Sequence, residues 1–397
     1  MTALPVDWGF VMASHDRSRR ILILGAGNAQ IDLIKYCKKS GMEVYGCSYT
    51  DKDPGIPLLD HFEQVNITDV KGVSEYARRG NVDVVYSVGS DLAMPTVART
   101  SEELGLVCFS PVWAADTACD KGRMRTLLGT SRWNPPYRCF RRIEELRDWM
   151  IFPATVKPVD SQGQRGVSFV ESPEELPGAV EHARTFSRCG GMIIEKYVDG
   201  PEVSVNLFMR GGKAVFLMIT DRESFRELPG GIIHRHYIPS VFSGTETEKK
   251  IYSLVLKIAE MLGVTDGPMY FQIKTENGKP YLIETSPRLD GCHIWRLIRM
   301  YCGVDLLKMT MDTLLRKDNM LRDHRETEVD DDGSGDAELV PMMLEFFCEP
   351  PETVFQQERY ASLPALYRQM YYENGQRVRP VNGYMEKCGY RIVETSR

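Results

Sequence analysis

The stretch VKPVDSQGQRGV, Val156 to Val167, decides how the rest of this 397-residue chain is read. Lys157 closes an apolar, strand-like run, Pro158 fixes the backbone behind it, and a short polar loop carrying Gly163 and Gly166 follows. Glycines so placed let successive backbone N–H groups turn toward an anion. The same letters also fit an ordinary hairpin with a solvated lysine. The loop gains a function only if the chain supplies it with partners.

Around that loop, from Phe152 to about Ile283, strands dominate. ATVKP, VSFV, MIIEKYV, EVSVNLFMR, KAVFLMIT and GIIHRHYIP all qualify. Two helices interrupt them, PEELPGAVEHARTFSR and TETEKKIYSLVLKIAEMLG, and ENGKP marks a turn between the strands YFQIKT and YLIET. This half is α+β, built on antiparallel sheet. Upstream, RILILG, MEVYGCSY, the segment around FEQVNI, and VDVVYSVG alternate with helical segments, which predicts a parallel sheet covered on both faces. VWAADTACDKGRMRTLLG reads as one helical segment joining the halves. Residues 316–338 are polar and charged and read as a linker, after which LVPMMLEFF, QRVRPV and YRIVET suggest a small terminal lobe.

Composition narrows the class. A hydrophobic share of 43% with 26% charged residues is that of a soluble globular protein. A net charge of −6 and a pI near 5.8 argue against a protein built to hold nucleic acid. No apolar run approaches the roughly 18 residues of a membrane span, and the N-terminus lacks the basic start and apolar centre of a secretory signal. The ten cysteines are scattered without a Cys-x-x-Cys pair, so they are expected as reduced thiols in a cytoplasmic protein.

Two constellations offer chemistry. In ILILGAGNAQ, Gly25 and Gly27 follow a strand as in a dinucleotide-binding turn, but Gln30 stands where a third glycine is needed. Asp51 lies near a ribose-binding position. A tight turn that binds no nicotinamide cofactor, or that borders a substrate, is the alternative. The second constellation runs in order from Lys157. Glu195, Lys196 and Val198 lie on a strand edge suited to an adenine, and Glu202 is suited to ribose hydroxyls. Gln272 and Glu284, on neighbouring strands, are expected to share a face and offer oxygens to Mg²⁺. Ser286 and Arg288 follow.

The ordered set CDKGRM, VKPVDSQGQRGV, EKYVDGPEVSV and LIETSPR resembles the ATP-grasp superfamily, and within it the carbamoyl-phosphate-synthase-like carboxylate–amine ligases. The resemblance reaches to about residue 315. It implies a Rossmann-like pre-ATP-grasp domain at 1–112, a two-lobed ATP-grasp fold at 113–315, the linker at 316–338 and a small C-terminal lobe at 339–397. It further implies that Lys121 and Lys157 contact ATP phosphates, and that Ser161, Gln162, Gly163, Arg165 and Gly166 form a phosphate flap. Glu195, Lys196 and Val198 would hold adenine and Glu202 the ribose. Gln272, Glu284 and Ser286 would ligate Mg²⁺, with Mn²⁺ as the alternative ion, and Arg288 would steady the transferring phosphoryl group. Ser286 departs from the family, where an asparagine usually stands, and leaves Glu284 the single carboxylate of the trio.

The acceptor side rests on fewer residues. His234 and His236 alternate on one strand face with Arg235 opposite. Arg222 and Arg226 stand where similar ligases carry a basic residue, with Arg222 also a catalytic candidate. After Arg288, LDGCHIWRLIRM opens a helix whose N-terminus suits a substrate carboxylate, with Asp290, Gly291, His293 and Arg296 as candidates. The implied reaction forms an amide through an acyl phosphate, from a small carboxylate and an amine of amino-acid or natural-product type. A homodimer is allowed for; nucleic-acid and membrane partners are not expected. Rival readings are a bicarbonate-activating enzyme of carboxylase or carbamoyl-phosphate type, a nicotinamide oxidoreductase, and an ATP-binding protein with little catalysis.

Overall fold

The structure, a computed structural model, describes residues 18–163, 165–225, 228, 231–315, 339–381 and 384–396. The expected linker, the first 17 residues and Arg226 lie outside them. Strands β1 (Arg20–Leu24), β2 (Glu43–Cys47), β3 (His61–Glu63) and β4 (Val84–Tyr86) form a parallel sheet in the order β3-β2-β1-β4. Ile21, Leu22, Ile23, Leu24 and Val85 are all buried, without alternation, because both faces of the sheet are covered. The connections are α1 (Asn28–Lys39), α2 (Val70–Gly80) and α3 (Met94–Leu104).

The single helical segment expected next is two helices, α4 (Val112–Cys119) and α5 (Lys121–Leu128). Asp120 between them has extended backbone, and its carboxylate accepts the Arg123 N–H at 2.9 Å. An N-cap aspartate is a common way to start a helix, and here it puts Lys121 at the first helical position.

Strands β5 (Tyr137–Phe140), β6 (Ala154–Pro158), β7 (Ser168–Val170) and β8 (Met192–Lys196) form a small antiparallel sheet in the order β5-β8-β6-β7. Helix α6 (Leu176–Phe186) covers it, with Val180 and Ala183 packed into a core with Val156 and Ile194. The large antiparallel sheet holds β9 (Glu202–Arg210), β10 (Lys213–Ser224), β11 (Ile233–Ile238), β12 (Gly267–Glu276), β13 (Lys279–Ser286), β14 (Met342–Glu349), β15 (Tyr367–Met370) and β16 (Glu386–Glu394). Its order is β13-β12-β9-β10-β11-β14-β16-β15. Helix α7 (Glu246–Met261) buries Ile251, Leu254, Val255 and Ile258 in a core shared with β9 and β12. Helices α8 (Ile294–Cys302) and α9 (Leu306–Leu314) pack in the same core as the parallel sheet, and α10 (Glu358–Ala361) is one short turn.

The C-terminal segment, expected as a small lobe, adds its strands to the large sheet through the pairing of β14 with β11. QRVRPV is not a strand: its Arg377 makes an isolated bridge to Val354, and Val378 fills a small cluster with Phe355 and Cys388. Strand β15 has no clear pattern in the sequence because all four of its residues are half-buried. The ten cysteines are unpaired thiols. Among the described residues no helix is long and apolar enough to cross a membrane.

One glycine fixes the entry to β9. Gly200 has a φ of 145°, and a Cβ there would lie 2.0 Å from the Thr275 carbonyl oxygen. Backbone cannot yield as a side-chain tip can, so Gly200→Ala is expected to cost about 2–3 kcal/mol. A lowered denaturation midpoint checks this, and an unchanged midpoint contradicts it.

Candidate active site

Lys157 is buried near the end of β6 and donates to Glu195 Oε2 of β8 at 2.6 Å. The register that pairs β6 with β8 puts the two strands side by side. Arg125 of α5, 1% exposed, completes the group by donating to both Glu195 oxygens, at 2.7 and 3.2 Å. The same guanidinium donates to the Leu282 carbonyl at 2.7 Å and the Ile283 carbonyl at 3.5 Å, so it spans from the small sheet to β13. Burial pushes the Glu195 carboxyl up, but Arg125 and Lys157 outweigh it and hold it at about 2. Burial lowers the Lys157 ammonium; Glu195 raises it, Arg125 and Lys121 lower it, and the net direction is down. Both Glu195 oxygens are thus engaged by cations, and the buried carboxylate, expected at the adenine, meets Lys157 and Arg125.

The loop after β6 is anchored at its stem. Asp160 accepts the N–H groups of Arg188 and Cys189 at 3.2 and 2.9 Å. Lys121 Nζ donates to the Ser161 carbonyl at 2.7 Å, and its own N–H donates to the Val159 carbonyl at 3.0 Å. Gly166, at a φ of 75°, lies where a Cβ would meet Phe186 at 2.9 Å and Pro158 at 3.0 Å, so no larger residue fits. Gly163 also has a positive φ, of 62°, and Gln162, Gly163 and Arg165 are the polar crest of the loop. Gln164 lies outside the described residues.

Opposite the loop, β12 and β13 pair so that Gln272 faces Glu284 and Tyr270 faces Ser286, which puts the three expected donors on adjoining strands. Glu284 and Ser286 are two apart on one strand and so share a face. The Ser286 hydroxyl is buried with no hydrogen-bond partner among the described residues. Gln272 donates its amide to Glu202 at 2.5 Å, which leaves its carbonyl oxygen for a cation. Carboxylate, hydroxyl and amide oxygens are the hard donors Mg²⁺ takes, so the set fits that ion with one charged ligand. Glu284 is pushed up by burial and by the like charge of Asp91, against the opposing Lys121 and Arg288. Asp91, from just before α3, also forms an ion pair with Arg288, both side chains nearly buried. Asp91, Lys121, Arg125, Gln162 and Glu284 line one cavity.

Glu202, expected at the ribose, is held by Arg222 Nε at 2.5 Å as well as by Gln272. The ladder sets Arg222 of β10 opposite Glu202 of β9 and opposite His236 of β11. Arg222 therefore belongs to the wall next to Gln272. Lys196 crosses to β12 through its 2.5 Å pair with Glu276, and Val198 offers its carbonyl to Lys274 at 3.0 Å. His236 is fully buried, and burial together with Arg222 and Lys387 keeps its ring neutral.

The helix N-terminus expected to receive a substrate carboxylate is filled from within. Asp290 accepts the N–H groups of Cys292 at 2.6 Å and Ile294 at 3.2 Å. His293, at a φ of 58°, bonds through Nδ1 with Asp32 of α1 at 2.9 Å and through Nε2 with the Tyr371 hydroxyl at 2.7 Å, and stacks on Tyr390. Arg296 donates to Asp32 at 2.9 Å and to the Tyr390 hydroxyl at 3.0 Å. These two side chains join the first domain to the large sheet. Gly291 does the same by close approach, since a Cβ on Gly89 would fall 2.6 Å from its Cα. In the glycine turn, the Gln30 side chain lies against Gly25 and Gly27 and donates to the Val88 carbonyl, so it covers the place of a pyrophosphate.

Arg125, Asp91 and Asp32 were not anticipated. For Arg125 a signal existed: it lies four residues after Lys121, on the same face of a short helix. Asp91 and Asp32 sit in ordinary helical segments and carry no local mark.

Residues 150–295 match the family model of the ATP-grasp domain. The chain is 31% identical over 139 residues to the ATP-grasp enzyme fsqD of Aspergillus fumigatus, covering 32% of this chain and 23% of that protein. It is 26% identical over 191 residues to a formate-dependent phosphoribosylglycinamide formyltransferase of Mycolicibacterium gilvum, covering 46% of this chain and 48% of the relative. The chain thus spans less than half the length of these curated relatives. The crystal structure of an L-amino acid ligase from Bacillus licheniformis superposes with a TM-score of 0.75 at 17% identity, over 96% of this chain and 94% of that one. That likeness is one of fold, which is the ATP-grasp fold.

Proposed function

We propose that this ATP-grasp chain is an ATP-dependent carboxylate–amine ligase that works through an acyl phosphate. The reading rests on one meeting of residues. Lys121, Gln162 and Glu284 line a single cavity with Arg125, whose guanidinium holds the Glu195–Lys157 pair beside it.

In the proposed reaction a substrate carboxylate oxygen attacks the γ-phosphorus of ATP, the bond to the β-phosphate oxygen breaks, and ADP leaves. The amine then attacks the acyl carbon, loses a proton and expels phosphate. Phosphoryl transfer needs positioning and charge neutralisation more than covalent help. Lys121 and Lys157 bring the charge, and the loop at Ser161–Gly166 brings backbone N–H groups and a cover that excludes water from the acyl phosphate. Gln272, Glu284 and Ser286 would hold Mg²⁺, which when bound neutralises phosphate charge. Arg288 stands beside Glu284 to meet the transferring group. Lys196 and Val198 lie at the strand end where an adenine edge would bond to main chain, while the Glu195 side chain serves Lys157 instead.

The test is ADP release, followed by a coupled assay, over a matrix of amino acids, short peptides and simple amines with MgATP, with products identified by mass spectrometry. Release that requires one carboxylate and one amine, with a product whose mass is the sum of theirs less water, is expected. Tight nucleotide binding with no release for any pair would overturn the ligase reading, and release with bicarbonate alone would replace it.

A further inference from the structure

We infer that Arg125 is a positioning residue of the nucleotide site: by sharing the Glu195 carboxylate with Lys157 it leaves the pair of cations one positive charge in excess, which an incoming polyphosphate neutralises. The inference rests on the nucleotide reading of this cavity.

Two cations share one carboxylate in this group, and all three side chains are buried. Arginine stays protonated in any protein, and its planar fork fits a carboxylate through two parallel bonds. Arg125 therefore takes the larger share of Glu195. Lys157 keeps one contact with an oxygen that Arg125 also uses. The cluster carries one unit of net positive charge in a place with little water to solvate it. Such a charge is costly unless an anion arrives, and the nucleotide of the proposed reaction would bring that anion as its phosphate chain. Arg125 also fixes where that chain would lie. Its bonds to the Leu282 and Ile283 carbonyls hold the strand bearing Glu284 at a set distance from Lys157, and its helix begins with Lys121.

Among the described residues the groups facing Lys157 are Glu195 of β8 and Arg125 and Lys121 of α5; burial is the largest cause of the lowered Lys157 pKa, Glu195 opposes it, and Arg125 and Lys121 act against Glu195. A polyphosphate prefers the protonated lysine, so affinity is full below the Lys157 pKa and falls as pH rises through it. Removing Arg125 removes a repulsion and returns Glu195 wholly to Lys157, which moves that fall to higher pH. Removing the Glu195 charge does the reverse.

Calorimetric titration of Mg-ADP and a magnesium complex of a non-hydrolysable ATP analogue, from about pH 6.5 to 10, tests this on the wild type, Arg125→Met and Glu195→Gln. The nucleotide's own titration is common to all three. Arg125→Met is expected to bind at least about tenfold more weakly at pH 7, with its loss of affinity shifted up in pH, and Glu195→Gln to shift the loss down. A flat wild-type profile overturns the inference, as does weakened binding in Arg125→Met with an unmoved profile, which is what a merely structural arginine gives. Should Arg125→Met fail to fold, the direction of the Glu195→Gln shift decides. Wild type that binds neither nucleotide defeats the nucleotide reading itself, a separate outcome.

Discussion

Arg288→Ala is expected to lower ADP release by about 10³-fold or more while the protein stays folded. The guanidinium is buried, bonded to the Leu289 carbonyl at 3.0 Å, ion-paired with Asp91, and 5.6 Å from the Tyr270 ring centroid. It is thus held in place before any substrate arrives, which is the condition under which an electrostatic contact acts on a transition state at no cost in reorganisation. Arg288→Lys is expected to recover little, because an ammonium cannot reproduce the fork. Asp91→Asn keeps the shape and removes the orienting charge, so a smaller loss of roughly 10–100-fold is expected. Rates of ADP release at saturating ATP, alongside circular dichroism of each variant, check the series. Turnover of Arg288→Ala within tenfold of wild type would take this arginine out of the mechanism.

Asp32→Ala is expected to destabilise the protein by about 3 kcal/mol at neutral pH. The carboxylate is 6% exposed and takes His293 on one oxygen and Arg296 on the other, so its loss strands a buried histidine and a guanidinium together. Burial pushes the Asp32 carboxyl up, but the His293 and Arg296 contacts outweigh it and hold it below its usual value. A depressed carboxylate contributes stability that is present above its unfolded pKa and lost as pH falls through the folded one. The gap between wild type and Asp32→Ala is therefore expected to be full at pH 7 and to close in acid, read as the difference in urea midpoints at each pH. A gap that stays constant from pH 7 into acid would contradict the assignment. An absent gap would show that the Asp32 contacts to His293 and Arg296 contribute nothing to stability.

Much of the candidate site was legible where the chemistry follows a local pattern. Gln272 and Glu284 were expected to share a face of neighbouring strands, and the ENGKP turn sets β12 against β13 so that the two residues pair. The apolar run ending at Lys157 and the glycines after it gave a strand and a loop whose Gly163 and Gly166 both have positive φ. Reading failed where a helix broke without a glycine or proline, at Asp120, and where four half-buried residues made the edge strand β15. QRVRPV failed in the other direction, since apolar alternation alone cannot tell a strand from a loop that tucks one valine inward.

The sequence by itself determined the types of residue in this protein's site, their order along the chain and the faces they occupy, because backbone geometry imposes those within a few residues. Only the tertiary structure decided which charges meet. Arg125 reaches Glu195 across 70 residues and His293 reaches Asp32 across 261. Coulomb attraction in a low-dielectric interior acts through space and leaves no periodicity in the chain. That is why no pattern in the chain foretold Glu195 as the counter-ion of Lys157, or His293 and Arg296 as bonded to Asp32 of the first domain and to Tyr371 and Tyr390 beside the large sheet.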